Sequence, residues 1–135
     1  MKNFSQIRAG MVTLIVGFIL SMPLSGYSQE VIDIQVSPSV LNLQNNGQVV
    51  TVHTEIAYSL VEAETIMMNG IEIDSWKADL QGNFVAKFIM DEIVGLPLVV
   101  GQYNELTLTG IKTDGTVFTG TEDVMVIDVA QKGKK

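Results

Sequence analysis

The chain has 135 residues, no cysteine, and 15 acidic against 8 basic residues, for a formal net charge of −7. This balance excludes a nucleic-acid binder, which needs a basic footprint. The missing cysteine excludes both a disulfide scaffold and a cysteine-linked lipid anchor.

The first 28 residues have the order of a secretory signal peptide. Lys2 and Arg8 supply the positive start, residues 11–20 (MVTLIVGFIL) form an apolar run, and Pro23, Ser25, Gly26 and Ser28 form a small-residue region before Gln29. The apolar run is shorter than the ~20 residues a membrane span needs, so cleavage after Ser28 is favoured over an uncleaved anchor. Cleavage there makes Gln29 the first mature residue and leaves no membrane span. Without Lys2 and Arg8, six bases face fifteen acids, a formal net of −9. Lys132, Lys134 and Lys135 belong to a short basic tail over 131–135, so the body holds only Lys77, Lys87 and Lys112. Residues 29–130 are the size of one domain.

Taken in order, residues 31–36 (VIDIQV) alternate, with Ile32, Ile34 and Val36 on one face. The stretch 37–39 (SPS) interrupts the strand, because proline removes a ladder donor, and 40–43 resumes it. After a turn over 44–48, residues 49–56 (VVTVHTEI) place Val50, Val52 and Ile56 inward and Thr51, His53 and Glu55 outward. A loop follows at 59–64. Asn69-Gly70 then sits between two short apolar runs, a two-residue hairpin signal. Trp76 is expected over a sheet edge or core end. Residues 79–83 turn, and 84–89 (FVAKFI) return with Phe84 and Phe88 inward and Lys87 outward. Residues 91–100 lack alternation, and Pro97 limits any helix there to a turn or two.

The closing stretch, residues 105–127 (ELTLTGIKTDGTVFTGTEDVMVI), carries the strongest pattern in the chain. It reads as three short runs around Leu106 and Leu108, Val117 and Phe118, and Val124 and Val126. The Asp114-Gly115 pair predicts a primed turn with positive φ at both residues. Phe118 falls in phase with the inward face and is expected in the core. About seven short strands and no long amphipathic helix predict an all-β, immunoglobulin-like antiparallel sandwich.

These residues also carry a resemblance. Ile32-Asp33-Ile34, Leu41-Asn42-Leu43, Val50-Thr51-Val52, Met68-Asn69-Gly70, Ala86-Lys87-Phe88 and the whole of 105–126 are similar to immunoglobulin-like β-sandwich modules of secreted and surface proteins of bacteria and archaea. The closing motif ELTLTGIKTDGTVFTG matches most closely, and the likeness covers most of 31–127. The resemblance implies a spacer or binding module on an exported protein. Many such modules hold a DxDxDG loop of the calcium-binding kind before the VKF-like strand. This chain has WKADLQGN there, with Asp79 and Asn83 as the remaining oxygen donors. Calcium takes six to eight oxygens, so no metal ligand is assigned and no tight calcium site is expected.

The sequence offers little for catalysis. His53 is the lone histidine and stands on an outward position without cysteine or a second histidine to complete a zinc set. Ser37, Ser39, Ser59 and Ser75 lie outside any nucleophile-elbow motif. Glu62/Glu64, Asp91/Glu92 and Glu122/Asp123 are carboxylate pairs by count alone. No catalytic residue and no cofactor is assigned. Met67 and Met125 fall on outward positions, residues 97–100 form an apolar loop, and Val99 and Ile127 are expected to pack in the core.

The expected function is that of a secreted or periplasmic, non-catalytic structural or interaction module, able to associate with the cell surface. Its expected partner is another protein or a component of the cell envelope. The alternative is a small carbohydrate- or cation-binding β-sandwich domain, and a hydrolase ranks third. Trp76, Tyr58 and Tyr103 are the candidate sugar platform, and the alternative requires them to share one face.

Overall fold

A computed structural model describes residues 28–45 and 47–130. The signal-like segment before residue 28 and the basic tail over 131–135 lie outside the described residues. The fold is all-β, and the described residues form ten strands in two sheets that share one core. Strands β1 (Gln29–Val31), β3 (Val40–Asn42), β5 (Met67–Met68), β6 (Ile71–Glu72), β9 (Tyr103–Ile111) and β10 (Val117–Ile127) form sheet one. Strands β2 (Ile34–Ser37), β4 (Val49–Ala57), β7 (Ser75–Ala78) and β8 (Asn83–Ile89) form sheet two. A five-residue α-helix, α1 (Met90–Val94), follows β8.

Alternation builds the core as expected. Val50, Val52, Thr54 and Ile56 point inward from β4, Phe84, Ala86 and Phe88 from β8, Leu106 and Leu108 from β9, and Phe118, Val124 and Val126 from β10. Thr54 can be buried because its hydroxyl donates to the Phe84 carbonyl (2.8 Å) and accepts from the Ile56 N–H.

Four local expectations change. Residues 117–127 form one eleven-residue strand, since β9 pairs with β10 without interruption from Ile111 to Tyr103. The turn before it is not primed. Gly115 has φ 91° while Asp114 keeps an ordinary negative φ, because the Gly115 N–H donates to the Lys112 carbonyl and the Lys112 N–H to the Thr116 carbonyl. This is the longer hairpin loop, with glycine at its left-handed position. At Asn69-Gly70, by contrast, both residues have positive φ (49° and 85°). Val99 is 51% exposed and not core, held out in the loop by paired bonds between its backbone and the Asn104 amide. Val85 is fully buried yet lies on the outer face of sheet two, between His53 and Lys77 in the register and outside the core cluster.

The largest difference concerns the first strand. The alternating run at 31–36 is divided between the two sheets. β1 pairs in parallel with one end of β10 at 117–119, the chain crosses at Ile32 and Asp33, and β2 pairs antiparallel with β4 in the opposite sheet. After Pro38 the chain crosses back, and β3 pairs in parallel with the other end of β10 at 125–127. This strap closes one long side of the molecule. Gly120 makes the crossing possible, since a Cβ there would stand 2.9 Å from the Ile32 carbonyl oxygen and 2.7 Å from Ile34 Cγ2. Gly110 does the same for the core, where a Cβ would meet the Phe118 ring at 2.7 Å.

Candidate functional site

The strap, the end of β4 and the β7–β8 turn line a cleft of about 380 Å³. β4 and β8 shift register between His53 and Ala57, a bulge at this corner, and pair again at Ala57 and Asn83. Asp33 enters from the crossing, His53 and Glu55 from β4, Asp79 and Gln81 from the turn, and Glu122 from the middle of β10. The lining is mostly polar and holds four carboxylates.

Two of those carboxylates already hold backbone. Asp79 Oδ1 accepts from the N–H groups of Gln81 (2.8 Å) and Asn83 (2.9 Å), closing the turn before β8. The Asn83 N–H in particular holds the Asp79 carboxyl below its ordinary range, partial desolvation opposes this, and the Gln81 N–H and His53 add to the lowering. Glu122 accepts from the Val36 N–H at the gap in β10 between β1 and β3, and so replaces the missing ladder bond. Asp33 and Glu55 are exposed. Among the described residues no group of three or more His, Asp or Glu side chains is arranged to hold a metal ion.

The carboxylate pairs named from sequence do not converge. Glu122 and Asp123 point to opposite faces of β10, Asp91 and Glu92 lie in the first turn of α1, and Glu62 precedes the short three-ten turn Ala63–Thr65 that contains Glu64. Of those six acids the cleft contains Glu122 alone, and it contains none of the four candidate serines. Asp33 and Glu55, which do line it, look in the sequence like ordinary outward strand residues. Only the strap crossing and the shifted register bring them together.

The candidate sugar platform is dispersed. Tyr58 stacks on Phe84 with ring centroids 6.0 Å apart, Trp76 stands on β7 at the edge of sheet two opposite Ala86, and Tyr103 begins β9 in the other sheet.

A second surface is more pronounced. On the outer face of sheet one, register places Val40, Met125 and Tyr103 side by side across β3, β10 and β9. Tyr103 is 67% and Val40 43% exposed, and Ile127, expected in the core, instead continues the outward phase of β10 beyond Met125, because Val124 and Val126 take the inward positions. The next outward row is Asp123 with Glu105, and beyond it lie the facing pairs Thr121–Thr107 and Thr119–Thr109. Alternation in the sequence marks Met125 as outward, but the cross-strand neighbours that make an apolar patch come from β3, more than eighty residues earlier.

Comparison of the chain with protein-family models, with curated proteins and with solved structures gives no match.

Proposed function

We propose that the chain is an exported, immunoglobulin-like, non-catalytic interaction module, and that it makes its contacts through the outer face of sheet one. The observation that carries this reading is the apolar group Val40, Met125 and Tyr103 at one end of that face, bordered by Asp123 and Glu105. Contiguous exposed apolar residues rimmed by polar ones mark partner surfaces more often than scattered ones do. Tyrosine is favoured at such sites because it offers a large contact area with few rotatable bonds. The export order of residues 1–28 and the closing motif support the rest of the reading, with Gln29 as the first mature residue.

A photo-crosslinking residue at position 103, with position 80 as control, tests the reading in the native host. Leu80 is fully exposed on the β7–β8 turn and lies away from this face. Crosslinks to a protein or envelope component at 103 and not at 80, in an extracytoplasmic fraction, are expected. Equal crosslinking at both positions, or none at 103, would overturn the assignment of the face. Recovery of the chain in the cytoplasm would overturn the export reading.

The cleft favours one second reading, weak cation binding, because four carboxylates line it. The engagement of Asp79 and Glu122 with backbone N–H groups argues against it.

A further inference from the structure

The residues on either side of the proposed cleavage point belong to a strand and not to a linker. The Ser28 carbonyl accepts from the Val117 N–H (3.0 Å), and the Ser28 and Thr116 hydroxyls stand 3.4 Å apart. Gln29, Glu30 and Val31 then pair in parallel with Val117, Phe118 and Thr119, and the Ile32 N–H donates to the Thr119 carbonyl (2.9 Å). Glu30 is tied a second time, by a 2.7 Å ion pair with Lys112 just beyond the end of β9. Val31 is 83% exposed and adds little packing, but Ile32 lies in the core cluster. The Ser28–Gln29 peptide is thus held on its N-terminal side by the Ser28 carbonyl, and on its C-terminal side by the ladder, the ion pair and the Ile32 side chain.

Proteases cut exposed, unpaired chain, and they reach a paired strand only when it opens. We infer that removal of the signal segment and closure of the strap compete for residues 28–32, so that the cut after Ser28 has to precede the docking of β1 on β10. The inference rests on the export reading above, which places the cut there. A chain that folds first keeps its signal segment, because the scissile bond is then reached only through local opening of β1. The cut itself costs the strap one bond. Ser28 and Ile32 both turn their polar backbone groups toward β10, and in a parallel ladder the residue next to Ser28 turns its own away. The new terminal ammonium at Gln29 therefore takes nothing from the ladder, while the Val117 N–H gives up the Ser28 carbonyl. In the mature chain Glu30 and Ile32 hold β1 in place.

Purified leader peptidase acting on the full chain in mild detergent tests the inference. The chain is either refolded beforehand, with a cooperative melt to identify it as native, or diluted from denaturant directly into the enzyme. N-terminal sequencing and intact mass read the product. Chain met unfolded should be cut after Ser28, and chain folded beforehand should be cut more slowly by about tenfold or more. Gly120→Ala crowds the Ile32 carbonyl and Lys112→Ala removes the ion pair, so each should speed cutting of the folded chain and leave that of the unfolded chain unchanged. Lys112→Ala carries this arm if Gly120→Ala does not fold. Equal rates for folded and unfolded chain would overturn the inference and leave the export reading standing, and so would a slow cut that neither substitution speeds. Unfolded chain that is not cut after Ser28 would overturn the export reading, and the inference with it.

Discussion

The two long sides of the molecule are built differently. On one side the strap of β1, β2 and β3 passes from sheet to sheet, and its residues replace or cover the free edge of β10. On the other side β6 and β7 are short edge strands, one in each sheet, and all four residues of β7 are exposed. The closed side depends on close approach, with a glycine under the crossing and a carboxylate in the ladder gap. The open side relies on short strands and a lysine in β7, common devices against edge-to-edge pairing. Substitutions on the closed side should therefore cost more than substitutions on the open side.

The largest effect is expected at Phe118, which is fully buried and faces Glu30 of the strap across the β1–β10 pairing. Phe118→Ala should destabilise by about 3–5 kcal/mol in chemical denaturation, the usual range for removing a buried ring. A change below about 1 kcal/mol would place the ring outside the cooperative core.

Gly120→Ala should come next, at about 1–3 kcal/mol, the usual range for overpacking, because a new Cβ would meet the backbone carbonyl of Ile32 and the strap would have to shift. Hydrogen exchange should show the loss concentrated in β1 and β2. Uniform loss across both sheets would mean that the strap is not a separate unit.

Glu122→Ala should cost about 1–3 kcal/mol by leaving the Val36 N–H without its carboxylate partner, and Glu122→Gln should restore much of that through the amide oxygen. Equal costs for the two variants would assign the effect to charge and not to the hydrogen bond.

On the open side, Trp76→Ala should cost only about 1–2 kcal/mol although the side chain is the largest in the fold, because it is 37% exposed at an edge. A cost matching that of Phe118→Ala would show that Trp76 closes this side as firmly as the strap closes the other.

The smallest effect is expected from acid, and it should not depend on side. Asp79 stands in the β7–β8 turn and Asp114 beside the start of β10. The carboxyl of Asp114 is held below its ordinary range chiefly by the N–H and hydroxyl of Thr116, as that of Asp79 is by Asn83. A native value below the unfolded one, about 3.9, gives stability that is present above that pH and lost as pH falls through the native values. The melting temperature contribution of these turns should hold down to about pH 4 and decline below it, and the decline should shrink in Asp79→Asn with Asp114→Asn. An unchanged acid profile in that variant would assign the decline to other carboxylates.

Several features follow from the sequence alone, because they depend on local geometry. Period-two alternation assigns the inward faces of β4, β8 and β9, Asn69-Gly70 supplies the two positive φ angles its turn needs, and Pro97 limits the helix before it to a turn or two. The tertiary structure decides everything that depends on which strand pairs with which. Nothing in VIDIQV shows that β1 and β2 belong to opposite sheets, since a crossing at Ile32 and Asp33 preserves the alternation on both sides of it. Asp114-Gly115 looks like a primed turn, but the carbonyls of Lys112 and Thr116 select the longer loop. The same holds for function. Asp33, Glu55 and Glu122 become neighbours, and Val40 joins Met125 and Tyr103, only through contacts between residues far apart in the chain, and strand register is not encoded in any one strand.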